Sequence, residues 1–237
     1  MSTGEIGLDR GLVAAPGEAR SWLDRQLLRL IRDERDLRVV RFLALMSVVQ
    51  IPLTIWIFAV ADPAWWLMAL VFVSGQMFTP PYILALHVSA HRPIFKTEFR
   101  FLQTFTVWVL GPLAGETPET YVAHHMGMHH PENNMENDLS STLPYRRDRL
   151  THFLHYFGRF MFAGAFELLA YMKARGRTKL FWRIIIGEGG FFLVVGALLF
   201  VRFEATMTVF VARMVLTRFL MMAGNWGQHA FVDPDEP

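Results

Sequence analysis

Seven of the nine histidines in this 237-residue chain fall in three short clusters. His87 and His91 stand in HVSAH, His124, His125, His129 and His130 in YVAHHMGMHHPENN, and His229 in GNWGQHAF. His87/His91, His125/His129 and Asn225/His229 are each an i,i+4 pair, an interval that on an α-helix brings both side chains to one face, about 40° apart. Neutral imidazole is the commonest metal ligand and suits Fe, Zn, Cu or Ni. One mononuclear zinc site needs only three or four ligands, so six or seven imidazoles predict a dinuclear or paired site. A lone HxxxH recurs by chance in helices, and one histidine at a helix end is ordinarily a surface or capping residue. The doubled HHxxxHH is the rare element and carries the inference. His152 and His155 read as surface or interfacial residues. With no cysteine, thiolate zinc sites, iron–sulfur clusters, disulfide scaffolds and a catalytic thiol are excluded.

Something must hold these histidines together, and the composition says what. Hydrophobic residues make up 53% of the chain and charged ones only 19%, against about 25% in soluble domains. The net charge of +2 is too small to point to a nucleic-acid partner. A membrane-crossing helix needs roughly 20 mostly apolar residues. Such runs occupy 42–60, 64–86, 181–203 and 205–223, with Glu188, Arg213 and Arg218 inside the last two. The short link Ala61-Asp62-Pro63 makes the first two an antiparallel hairpin. Runs at 101–114 and 160–172 are too short to span comfortably and read as interfacial or re-entrant.

Eight arginines precede the first span and eleven Lys/Arg lie between the second and third, whereas the 61–63 link has none. The positive-inside rule then predicts that both termini and the long middle loop face the cytoplasm. All three histidine clusters emerge on that side. Residues 1–41 form a cytoplasmic N-terminal segment, within which Leu23, Leu27, Leu30, Ile31 and the more distant Leu37 among arginines predict an amphipathic helix over 19–38 on an anionic membrane surface. A solvated helix flanking the first span is the plainer alternative. The membrane domain covers 42–237. No cleavable signal peptide and no internal repeat is expected.

From the first span onward the chain resembles the membrane fatty-acid desaturase and hydroxylase superfamily, whose members are non-haem di-iron enzymes of lipid metabolism. HVSAHR looks like the first histidine box, and YVAHHMGMHHPENNMENDLSST like an extended second box, with HxxxHH where many members have HxxHH. Asn225-Trp-Gly-Gln-His229 resembles the Asn-xxx-His segment of acyl-CoA desaturases. The resemblance implies an all-α integral membrane fold: four transmembrane helices in two hairpins, a cytoplasmic histidine-rich helical cap and interfacial helices. It implies two Fe, with His87, His91, His125, His129, His130 and His229 as ligands, His124 as a further one, and Asn225 approaching a metal through water. The family's third box, usually HxxHH, falls some tens of residues past the Asn-xxx-His segment, whereas the sequence runs only to Pro237, so an incomplete site or a fragment of a longer reading frame is expected.

What the resemblance implies chemically is O2-dependent oxidation of an unactivated C–H bond, making the chain a fatty-acid desaturase acting on an acyl lipid or acyl-CoA. Hydroxylation of an alkyl or carotenoid substrate is the alternative, and a non-catalytic membrane metal-binding protein is a third reading, motivated by the intramembrane charges. No nicotinamide or flavin fingerprint is present, so electrons must come from a separate ferredoxin or cytochrome-like donor. Glu116, Glu119, Glu132, Glu136 and Asp138 are expected to orient imidazoles from behind. Phe101, Phe105, Trp108, Phe160, Phe162 and Phe166 are expected to line an acyl tunnel, and Arg146, Arg147 and Arg149 to contact a headgroup or to anchor the loop.

Overall fold

A computed structural model describes residues 20–229; the first half of the N-terminal segment and the ending 230–237 lie outside the described residues. Among the described residues all regular elements are helical, and the one strand-like pairing is a bridge between Ile31 and Phe95. Helix α1 (Trp22–Leu30) starts at a reciprocal capping box in which Ser21 and Asp24 satisfy each other's backbone N–H. It buries Leu27 and exposes Trp22 and Leu23, so the expected amphipathic helix exists but ends early. Ile31 turns extended there to meet Phe95, and Arg32 donates through its backbone to Ile94 O and through Nε to Phe95 O.

The remaining helices are α2 (Leu37–Ala59), α3 (Trp65–His91), α4 (residues 100–113), α5 (residues 120–132), α6 (Leu150–Ala174), α7 (Thr178–Val201) and α8 (Phe203–His229). Four of them, α2, α3, α7 and α8, are long and apolar enough to cross a membrane. Their outward residues suit lipid better than water: Val48, Ile55, Val73, Met77, Leu193 and Phe200 are all more than half exposed. The short runs behave differently from one another. α4 stays a short piece, whereas the run at 160–172 is the second half of α6, a 25-residue helix.

Two of the spans outrun their apolar stretches. α3 carries Pro80 and Pro81 inside it and still continues to His91. Interior prolines remove backbone bonds, but side chains pin the helix on both sides of the pair: Thr79 donates to Ala114 O (3.1 Å) and Tyr82 to Thr106 O (2.8 Å). α8 likewise extends to His229. His87, His91 and His229 therefore stand on the last turns of long helices rather than beyond them. Each of α4, α5, α7 and α8 also contains a five-residue π turn, at Thr106–Leu110, His125–His129, Ile185–Gly189 and Met207–Val211.

The charges within the spans have local partners. Glu188 pairs with Arg218 (2.6 Å) and accepts from the hydroxyls of Thr117 (2.6 Å) and Thr120 (2.8 Å). Arg213 is fully buried and meets no carboxylate; it donates to Gln50 Oε1 (3.0 Å), Leu113 O (2.7 Å) and Val71 O, binding α2, α3 and the end of α4 to α8. A Cβ at Gly75 would overlap the Arg213 guanidinium. At one end of the helices, Arg92 grips Asp36 with two bonds of 2.6 Å, Arg183 Nε reaches Glu119 (2.7 Å) and Arg147 reaches His229 O (2.6 Å). These contacts join the start of α2 to the end of α3, the start of α7 to the residue before α5, and the end of α8 to the 141–149 loop.

Candidate metal centre

Four imidazoles converge where the end of α3 meets α5. The ring nitrogens of His87, His91 and His125 all lie within 4.8 Å of one another, a group that could hold a metal ion. His125 Nε2 stands 3.3 Å from His91 Nε2 and 3.1 Å from His130 Nε2. Nitrogens about 2.1 Å from one ion and spread over roughly 90–110° are about 3.0–3.4 Å apart, so this spacing is that of co-ligands. Burial together with the crowding of other imidazoles holds His125 down at about 3 and depresses His130 as well. Both are neutral at pH 7 and present lone pairs. Tyr121, one turn before His125, lies against that ring (5.2 Å between centroids) and sets its hydroxyl 3.3 Å from His87 Nδ1. Burial lifts Tyr121 to about 12, so the hydroxyl keeps its proton.

The second group is more open. His129 is 5.8 Å from His229 and 6.2 Å from His124, ring centre to ring centre. His129 Nδ1 donates to Asp138 Oδ2 (2.7 Å), which leaves Nε2 as the free acceptor. Asp138 is itself fixed by the Asn134 N–H (2.9 Å), the Ser140 N–H (2.8 Å) and the Ser140 hydroxyl (2.6 Å). Burial pushes this carboxyl up, but the bonds from His129 and Ser140 outweigh it and hold it at about 2, so it remains a carboxylate. Asn133 and Asn134 adopt left-handed backbone, which asparagine tolerates, and turn the chain back so that Asp138 lands beneath His129. His124 Nε2 is buried with no hydrogen-bond partner, and burial pulls that ring to about 4. An orphaned neutral imidazole beside His129 fits a metal ligand in need of its ion.

The pairing differs from the i,i+4 reading. Residues 125–129 form a π turn, in which the fifth residue rather than the fourth comes round to the same face. His125 accordingly meets His130 at 4.4 Å but His129 only at 6.0 Å. The tetrad thus splits into His125/His130, which joins His87 and His91, and His124/His129, which faces His229. Asn225 commits its amide to Ser140 O (3.0 Å) and Tyr156 Oη (2.6 Å), beside the Asp138 loop. His152 and His155 stay outside both groups, packed against Tyr145.

Of the five acidic residues expected behind the imidazoles, Asp138 is the one that touches a histidine. Glu119 binds Trp108 and Arg183, Glu132 binds Tyr171 and Arg175, and Glu136 is exposed. Glu116 lies deeper, among Thr117, Glu188 and Arg218 in the wall of a cavity of about 580 Å³ that reaches up to His87, His124, His125 and His129. That cavity also corrects the expected tunnel. Phe160 lines it, but Phe101, Phe162 and Phe166 point outward and Phe105 and Trp108 pack into the core around α2 and α3. Its apolar wall comes instead from Ile83, Leu84, Leu168, Leu220, Met221 and Met222. Two further residues serve the site: Tyr121, legible in the sequence as the i−4 neighbour of His125, and Ser140, legible as the residue two places after Asp138. Comparison of the chain with protein-family models, curated proteins and solved structures returns no match.

Proposed function

We propose that the chain is a membrane-bound oxidoreductase of the fatty-acid desaturase type, with two iron ions bound at its cytoplasmic face. In this reading α2/α3 and α7/α8 are two transmembrane hairpins, and α5 with its loop is the cap that closes the site. One observation carries the proposal: two neighbouring groups of imidazoles stand at the head of an apolar-walled cavity, at one end of four membrane-length helices. His87, His91, His125 and His130 would hold one ion, and His124, His129 and His229 the other. Bound there, the metals would supply the electron transfer to O2 that oxidation of an alkyl C–H bond requires.

The protein's own residues do the rest. Asp138 keeps the His129 tautomer, and Tyr121 orients His87. Ile83, Leu84, Leu168 and Met221 exclude water from an alkyl chain. Arg147 and Trp226, joined through the Arg147 carbonyl (3.2 Å), hold the end of α8 against the 141–149 loop. The charges within the spans favour this reading over a transport pathway, because Glu188 and Arg218 neutralise each other and Arg213 ties helices together.

Two measurements test it. Purified protein loaded anaerobically should bind about two irons per chain, and His91→Ala and His124→Ala should each lower that number, since imidazole sets of this kind suit iron. Expression from the natural reading frame in a host supplied with a defined saturated fatty acid should yield unsaturated or hydroxylated product. No bound iron, or no oxidised lipid with a reduced ferredoxin or cytochrome-like donor present, would sink it.

A further inference from the structure

The cavity has two chemically different ends. Thr79 and Thr217 both donate to Ala114 O (3.1 and 2.9 Å), which sets the turn carrying Glu116 and Thr117 at their level. His87 follows Thr79 on α3, and Asn225 follows Thr217 on α8, by just over two helical turns, so this floor lies roughly 12 Å from the imidazole end. Between the two ends the wall is apolar.

Most polar groups of the floor are already satisfied. Glu188 takes bonds from Arg218, Thr117 and Thr120, and Thr79 and Thr217 spend their hydroxyls on Ala114. Glu116 is the exception: it is 7% exposed, and its Oε1 is buried with no hydrogen-bond partner. Burial raises this carboxyl to about 8, so it is protonated at neutral pH and offers both a donor and an acceptor. The Glu188–Arg218 pair carries no net charge, so the floor as a whole is neutral. A hydrocarbon tail seated there would leave Glu116 unpaired in a dry site. A carboxylate tail would bring an uncompensated charge, because Arg218 is already committed to Glu188 and Thr117. A hydroxyl or carbonyl group completes the floor.

We propose that the substrate chain carries a neutral oxygen function, a hydroxyl or carbonyl, that hydrogen-bonds to Glu116 at the floor of the cavity. The enzyme is then selective for an oxygenated chain over a plain hydrocarbon one, and Glu116 is the specificity-determining residue. This rests on the reading of the cavity as the substrate chamber.

The test is displacement of a fluorescent fatty acid from the full chain in lipid nanodiscs, by a length series of saturated fatty acids and their ω-hydroxy analogues. At one chain length the ω-hydroxy analogue should compete about tenfold better than its parent, as a site built to hydrogen-bond a hydroxyl discriminates against the chain lacking it. Glu116→Gln should retain that preference, because the amide keeps a donor and an acceptor, and Glu116→Leu should abolish it while still binding the parent chain. Equal competition by both series at every length, as when water alone satisfies Glu116, overturns the proposal and leaves the chamber reading intact. Failure of every chain to displace the probe overturns both. The Gln variant guards against a Leu variant that does not fold.

Discussion

His129 has two ring nitrogens, and a single hydrogen bond decides which is free to bind. Asp138 Oδ2, 2.7 Å from Nδ1, holds that proton in place and leaves the Nε2 lone pair free. Asp138→Asn should keep the fold but weaken metal retention by about 10–100-fold, measured by competition with a chelator. Glu116 gives a pH dependence of opposite origin. Its native carboxyl keeps the proton up to about 8, against 4.5 when unfolded, so between these values the native state binds more protons. Unfolding free energy therefore falls as pH rises through this window, by up to about 1.4 kcal/mol per pH unit. Glu116→Gln should match the wild type near about pH 5 and exceed it near about pH 8, as read by thermal unfolding in detergent. At this scale the sequence marks the histidines that the structure brings together and is silent about Glu116. Residue type and spacing mark HHxxxHH, but the burial that leaves one carboxyl unpartnered comes from α3, α8 and the 114–117 turn together.

Among the elements, one tight junction is the one around Arg213. Its guanidinium occupies the space beside Gly75 and reaches Gln50 on α2, Val71 on α3 and Leu113 at the end of α4. Gly75→Ala places a methyl group on the guanidinium and should destabilise the protein by about 1–3 kcal/mol or more, seen as a lower melting temperature. Hydropathy located the four long helices to within a few residues. It placed the ends of α3 and α8 too early, because the polar last turns carrying His87, His91 and His229 lower the local hydropathy while packing keeps them helical. The π turns were not legible either. A wide turn has no signature in spacing alone, and the i,i+4 rule assigned His125 to His129 when its neighbour is His130.

The whole molecule places its clustered histidines at one end of the long helices, and the excess of Lys and Arg at that end predicts that it faces the cytoplasm. Since the chain has no cysteine, single cysteines can report sidedness. Asp62→Cys should react with a membrane-impermeant maleimide in intact cells, and Arg146→Cys only after lysis. The reverse pattern would invert the topology. Ionic ties such as Asp36–Arg92 and Glu119–Arg183 lie at that same end, where their partly exposed arginines remain in contact with solvent. The class of fold was readable from apolar run lengths because a bilayer imposes them. The route of the cavity was not, since an aromatic residue facing lipid and one facing a tunnel look alike in sequence.

The π turn in α5 has a consequence for how such sites are recognised. Its extra residue widens one turn and leaves the ring partners facing each other, so HxxHH on a regular helix and HxxxHH on a π turn can present the same imidazole edges. What the site holds constant is an angle around the helix axis, not a residue count. A pattern written as fixed gaps between letters will pass over one of the two, whereas a pattern written as which rings share a face will find both.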